Sequence, residues 1–282
     1  MKDTFFYSKK TLSLNGNILD LRTPKVMGIL NVTPDSFFDG GRYHNEVEVL
    51  KQVGKMIEAG AAIIDIGGYS SRPEAENISE AVESERIRTT LGLIGKEFPE
   101  ANISIDTFRS GIAKMAVQEG AAMINDISGG TLDDKMFQTI ADLQVPYVLM
   151  HMKGNPQTMI QQTEYKNLLT DVIDHLNDRL NKLLTLGVKD IIVDPGFGFA
   201  KSLDQNYELL KNLKYFKVLN HPLLVGVSRK SMIYKKLSIK PEEALNGTTA
   251  LNMVSLMNGA SILRVHDVKE AVEVVKLYEQ LS

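Results

Sequence analysis

Eight short apolar runs recur along the chain, and each ends in a burst of polar or glycine residues. VMGIL leads into residues 31–37, IIDI into 67–73, ISI into 106–109, and MI into 125–130. YVLM leads into 151–154, IIV into 194–199, LLVGV into 228–231, and ILRV into His266 and Asp267. A strand buried on both faces reads as a continuous apolar run, so polar residues clustered only at its C-terminal end must face somewhere else. Eight such ends predict one shared active face.

Helical patterns fill the gaps between these runs. Over 168–184, apolar residues at 168, 169, 172, 173, 176, 180, 183 and 184 keep a helical period, with Asp171, Asp174, Asn177, Asp178 and Lys182 opposite and Gly187 as a C-terminal stop. Positions 49, 50, 53, 56 and 57 repeat the pattern, and Gly60 follows. Strand, crossover helix and parallel strand repeated eight times predict an α/β fold of the (β/α)8 TIM-barrel type. An open doubly wound sheet is the rival, weakened because GILNVTPDSF carries no glycine-rich dinucleotide fingerprint. Ahead of the repeats, Leu12, Leu14, Ile18 and Leu19 flank Asn15-Gly16-Asn17, the signature of a tight hairpin. With no low-complexity segment or linker, residues 1–282 read as one domain, of which 1–24 form a hairpin cap.

Composition narrows the partners. Thirty-two basic residues oppose thirty-five acidic ones, so a net charge of −3 makes no electrostatic case for nucleic acid or anionic lipid, and a small molecule is expected. The absence of cysteine excludes disulfides, thiolate catalysis and Cys-type zinc sites, and is consistent with a reducing cytosol. The N-terminal segment lacks the layout of a signal peptide and no apolar stretch is long enough to span a bilayer, so a cytoplasmic location is expected.

In a barrel the strand ends converge, so distant residues can line one pocket. Asp106, Asn125 and Asp194 each stand just past an apolar run. Two carboxylates and an amide can grip a flat heterocycle, because a carboxylate accepts two parallel N–H bonds and an amide offers both a donor and an acceptor. Asp106 and Asp194 would serve equally well as helix N-caps. Lys230, in an exposed basic pair within GVSRKS, suits an anion or a ring acceptor, with Ser231 and helix amides assisting, or else a solvated surface. Arg264 sits inside a strand pattern, where a charge is costly unless paired or in reach of ligand. With His266 and Asn31 it would form an anion site beside the ring pocket.

MGILNVTPDSFFDGG, DIGGYSSRP, SIDTFRS, INDISGG, DPGFGFAKSLDQNYELL, GVSRKSMI, NGTTALN and RVHDV resemble, in order and spacing, the signatures of the dihydropteroate synthase family. The resemblance implies a transferase that condenses 6-hydroxymethyl-7,8-dihydropterin pyrophosphate with p-aminobenzoate, in folate biosynthesis, and a homodimer. It places pterin on Asp106, Asn125, Asp194 and Lys230, and pyrophosphate on Asn31, Arg264 and His266, with Mg²⁺ held by Asn31 and the diphosphate. It places p-aminobenzoate on Phe37, Ser71, Arg72, Pro73, Phe199, Lys230 and Ser231, and implies that Asp35 and Arg72 shield the reaction. The Gly-, Pro- and Ser-rich segments 33–42 and 68–77 are expected to be lids.

The chain departs from the family pattern in the second lid. It reads GGYSSRPEA where GGESTRPGA is usual, so Tyr69 replaces a frequent Glu and Glu74 adds charge near the entrance for a carboxylate substrate. Arg109 is not expected to touch substrate. A methyltetrahydrofolate:corrinoid methyltransferase would share the ring pocket but have no use for the anion site, and a silent pterin-binding paralogue would have lost a catalytic residue. His44, His175 and His221 are expected to be a loop residue, a residue on a polar helix face and a residue preceding a proline, with no chemistry. His151 is expected at the rim of the active face. The helix around 243–257 carries small and methionine residues that suit either the barrel or a second subunit.

Overall fold

Asn15 and Gly16 both take positive φ, 47° and 80°, and turn strand β1 (Thr11–Leu14) back onto antiparallel strand β2 (Asn17–Asp20). That is the backbone a two-residue hairpin turn requires. The computed structural model describes residues 9–32, 41–70 and 78–281, of which 41–45 by their backbone alone. The expected site residues Asp35, Phe37, Ser71, Arg72 and Pro73, and also Glu74, lie outside the described residues.

After the hairpin the chain alternates β3 (Lys25–Asn31), α1 (Gly41–Glu58), β4 (Ile63–Gly67), α2 (Glu80–Glu97), β5 (Ile103–Asp106), α3 (Ser110–Gln118), β6 (Met123–Asp126) and α4 (Met136–Leu143). It continues with β7 (Tyr147–Met150), α5 (Leu168–Thr185), β8 (Ile191–Asp194), α6 (Leu203–Lys211), β9 (Leu224–Val225), α7 (Ser231–Leu237), α8 (Leu245–Met257), β10 (Ile262–Val265) and α9 (Val268–Tyr278). The last eight strands are parallel in the order β8-β7-β6-β5-β4-β3-β10-β9. A bridge between Val193 and Leu223 joins the two ends of that order, and Val193 N donates to Pro222 O at 2.9 Å. The sheet is therefore a closed barrel, and the open-sheet alternative is excluded.

Side chains alternate across the barrel wall. Val26, Ile64, Ile66, Ile103, Ile105, Ile124, Leu149, Val193, Leu263 and Val265 pack outward into the core shared with the helices. Met27, Ile63, Met123, Val148, Ile192, Leu224 and Ile262 point inward near the strand starts, where Leu12 and Leu14 of the hairpin meet them. The hairpin thus plugs the N-terminal mouth, and on four of the strands the next inward position is polar. Period-two alternation carries β4, β6, β8 and β10 from an apolar floor to a polar mouth, through Ile63 and Asp65, Met123 and Asn125, Ile192 and Asp194, and Ile262 and Arg264.

The two helices read from periodicity are α1 and α5. Helix α5 starts at an N-cap, Asn167, whose side chain accepts from Thr170 N, and Gly187 follows its end with φ 84°. One detail differs: α1 begins at Gly41, so His44 lies in its first turn rather than in a loop, because the helix extends N-terminally beyond the apolar positions that predicted it.

Candidate active site

Asp106 closes β5 and Asn125 is its register partner on β6, while Asp194 closes β8 opposite Met150. The carboxylates do not cap helices. The N-cap of α3 is Arg109, and that of α6 is Ser202, whose hydroxyl and Gln205 form a reciprocal capping box. Asp194 instead accepts from Gly196 N at 2.7 Å, which tightens the turn that leaves β8.

Arg264 enters the barrel from β10, with its side chain 19% exposed. Its Nε donates to Asp65 Oδ2 at 2.6 Å and its Nη2 to Asp106 Oδ2 at 2.7 Å. Asn125 Nδ2 donates to the same Asp65 oxygen at 2.9 Å. The residues expected in separate ring and anion sites are therefore joined by one network, and Asp65 at its hub was missed by the reading of the sequence. IIDI reads as an apolar run, yet Asp65 occupies the inward position between Ile63 and Gly67, so period-two counting would have found it.

Burial pushes Asp106 up to about 7, against the pull of Arg264 and with repulsion from Asp65, Glu83 and Asp126 adding to it. Burial also raises Asp194, partly offset by Lys230. Lys230 in turn falls to about 8, again through burial, with Asp194 holding it up. Its ammonium donates to Phe197 O and stands 4.8 Å from the centre of the Phe199 ring. The basic pair therefore divides: Lys230 turns into the barrel mouth, whereas Arg229 is fixed to Asp267 through Nε at 3.1 Å and Nη2 at 2.5 Å. Ser231 is the first residue of α7, beside Lys230.

His266 follows β10. Its backbone N–H donates to Ser228 Oγ at 3.1 Å, and its Nδ1 lies 3.1 Å from that same oxygen. Ser228 Oγ has one hydrogen, and directing it at Nδ1 puts the imidazole proton on Nε2. Asn31 closes β3, and its Oδ1 lies 3.3 Å from where a Cβ on residue 67 would stand, so Gly67 leaves it room.

His151 is not a rim residue. It is 1% exposed, its Nδ1 lies 3.0 Å from Lys201 Nζ, and its ring meets that of His175 at 4.9 Å. The strand end that should have shown it to solvent is covered by the turn after β8, where Lys201 donates to Gly196 O at 2.9 Å and Phe199 O at 3.0 Å. His175 likewise turns inward from α5, with Nε2 buried and unpartnered among the described residues. Burial lowers Lys201 to about 7. Behind the ring pocket Arg109 pairs with Glu83, which also accepts from Thr107 Oγ1 at 2.7 Å. Asp126, next to Asn125, accepts from Tyr147, Ser128 and Gly130 and so pins the turn after β6.

Residues 27–266 match the family described as pterin binding enzyme. The chain is 42% identical over 270 residues to dihydropteroate synthase of Escherichia coli strain K12, covering 95% of each chain. It is 41% identical to that of Bacillus subtilis strain 168, covering 91% of this chain and 88% of the relative. Among solved structures, Yersinia pestis dihydropteroate synthase with a sulfonamide drug superposes with a TM-score of 0.89 at 38% identity, over 96% of this chain and 98% of that one. Xanthomonas albilineans dihydropteroate synthase with 4-aminobenzoic acid superposes with a TM-score of 0.90 at 34% identity, over 97% and 98%. The chain belongs to the pterin-binding enzyme family and, within it, to the dihydropteroate synthases, which are transferases.

Proposed function

We propose that the chain condenses 6-hydroxymethyl-7,8-dihydropterin pyrophosphate with p-aminobenzoate to give 7,8-dihydropteroate and pyrophosphate, by a dissociative route. The observation that carries this reading is the convergence of Asp106, Asn125, Asp194 and Lys230 with Arg264 and His266 at one barrel mouth. The ring would sit on Asp106, Asn125, Asp194 and Lys230. The diphosphate would lie toward Asn31, Arg264 and His266, where the guanidinium and the Nε2–H are donors suited to an anion.

The bond from the pterin methylene to the diphosphate oxygen breaks first, and its electron pair leaves with the diphosphate. Ionised Asp106 and Asp194 stabilise the cation left on the pterin, and Arg264 and His266 stabilise the departing anion. The aniline nitrogen of p-aminobenzoate then forms the new C–N bond and loses a proton to solvent. No strong base is required. Phe199, Lys230 and Ser231 would line the aminobenzoate side with Phe37, Ser71, Arg72 and Pro73, and Asp35 with Arg72 would shield the cation from water.

The donor chemistry suits Mg²⁺ at Asn31: one amide oxygen at the barrel mouth, with no cluster of three His, Cys, Asp or Glu among the described residues. Mg²⁺ commonly uses few protein ligands and completes its shell from substrate phosphates and water. When bound, it would neutralise charge on the diphosphate.

A homodimer belongs to the same proposal, supported by Val254 and Met257 of α8, which are 37% and 67% exposed. Light scattering at micromolar concentration tests it, and a monomeric mass refutes it. The assay for the reaction is pyrophosphate release that depends on p-aminobenzoate, with dihydropteroate identified as product. Pyrophosphate release indifferent to p-aminobenzoate, or none at all, refutes the reading.

A further inference from the structure

Asp65 is fully buried in the middle of β4, and one of its oxygens holds two groups of the site. Arg264 reaches that oxygen from β10 and Asn125 from β6, strands on opposite sides of β4 in the sheet order. The other oxygen, Oδ1, is buried without a hydrogen-bond partner among the described residues. A carboxylate in such surroundings is a costly way to fill a barrel, and an apolar residue of similar volume often does so at equal or better stability. Its effect is on orientation. With Nε on Asp65 and Nη2 on Asp106, the guanidinium plane of Arg264 is fixed at two points. With Nδ2 on Asp65, the Asn125 amide is fixed too, because the flipped amide would set oxygen against oxygen.

We propose that Asp65 is a positioning residue for the transfer reaction, which holds Arg264 and Asn125 in one arrangement so that the diphosphate and the pterin ring are gripped in fixed relation to each other. It touches neither substrate. This rests on the reading of the reaction given above, and it concerns only the pterin diphosphate, since p-aminobenzoate is assigned to the other side of Lys230.

The test is Asp65→Asn, which keeps the volume and removes the charge. Misplacing reacting groups by about 1 Å costs on the order of 10²-fold in rate. A fall in kcat/KM for the pterin diphosphate of about 10- to 100-fold is expected, with the KM of p-aminobenzoate changed less than about threefold. Arg264→Lys, which keeps a charge but has no Nε–H for Asp65, should lose a similar amount, and the double variant should be no slower than Arg264→Lys alone. Activity within twofold of the parent overturns the proposal, and so does an equal loss for both substrates, which marks general damage. If Asp65→Asn does not fold, Arg264→Lys carries the test alone, and parent-like turnover there overturns it. Calorimetric binding of 6-hydroxymethylpterin with pyrophosphate to parent and variant separates the two readings. Parent protein that does not turn over refutes the reaction, whereas Asp65→Asn that binds these probes as tightly as the parent refutes the positioning role.

Discussion

Arg264 Nη2 lies 2.7 Å from Asp106 Oδ2, so the cation assigned to the leaving group and a carboxylate assigned to the pterin are hydrogen-bonded to each other. Burial nevertheless pushes Asp106 up to about 7, with Asp65, Glu83 and Asp126 adding repulsion. If the ionised carboxylate stabilises the pterin cation, kcat/KM is highest between this value and about 8, above which Lys230 loses the proton that holds the ring. It declines tenfold per pH unit below the lower value, because the protonated acid has lost its charge. Initial rates across the neutral range check this, and a flat profile contradicts it.

Asp106→Asn removes the charge at every pH. Turnover should drop by roughly 10²-fold or more if the role is electrostatic in the transition state. A nearly active Asp106→Asn variant rules that role out.

Ser228 Oγ lies 3.1 Å from His266 Nδ1, and by donating its hydrogen there it would hold the imidazole in the tautomer that presents Nε2–H. Removing the hydroxyl in Ser228→Ala should raise the KM for the pterin diphosphate about 5- to 10-fold, the scale of one hydrogen bond. The KM for p-aminobenzoate should stay within twofold. Steady-state kinetics with each substrate varied in turn will tell.

His151 is held neutral in the fold, its pKa well below the ordinary value of 6.5, through burial and the cationic Lys201 beside it. His175 and Lys153 add to that repulsion. The unfolded chain takes up a proton below pH 6.5 that the native chain refuses, so this contribution to stability is present above 6.5 and lost as pH falls. Melting temperatures measured from pH 7.5 to 5 should decline, and His151→Gln should decline less over the same interval.

Glu83 is fully buried, and its partner Arg109 is 17% exposed. Deleting the carboxylate in Glu83→Ala leaves a half-shielded guanidinium and a cavity. Unfolding in urea should show a loss of about 3 kcal/mol, the lower end of the range for one partner removed from a buried pair. A loss under 1 kcal/mol would mean that water replaces the carboxylate without cost.

The barrel, its hairpin and the strand-end face were legible because they rest on local periodicity. An apolar run ending in polar residues, an Asn-Gly turn and a helical stripe each follow from geometry over a few residues. That Asp106, Asn125, Asp194, Lys230, Arg264 and His266 share one mouth follows from strand ends alone, once the barrel is granted.

Pairing was not legible in this way. Asp65 and Arg264 are 199 positions apart, and nothing near either one announces the other. His151 shows how a correct strand end still misleads, because the turn after β8 covers it. By itself the sequence determined the strand repeat and the end of the barrel at which polar residues gather, since both rest on local patterns. Only the tertiary structure decided which inward charges neutralise each other, because that depends on barrel closure and on distances across its interior.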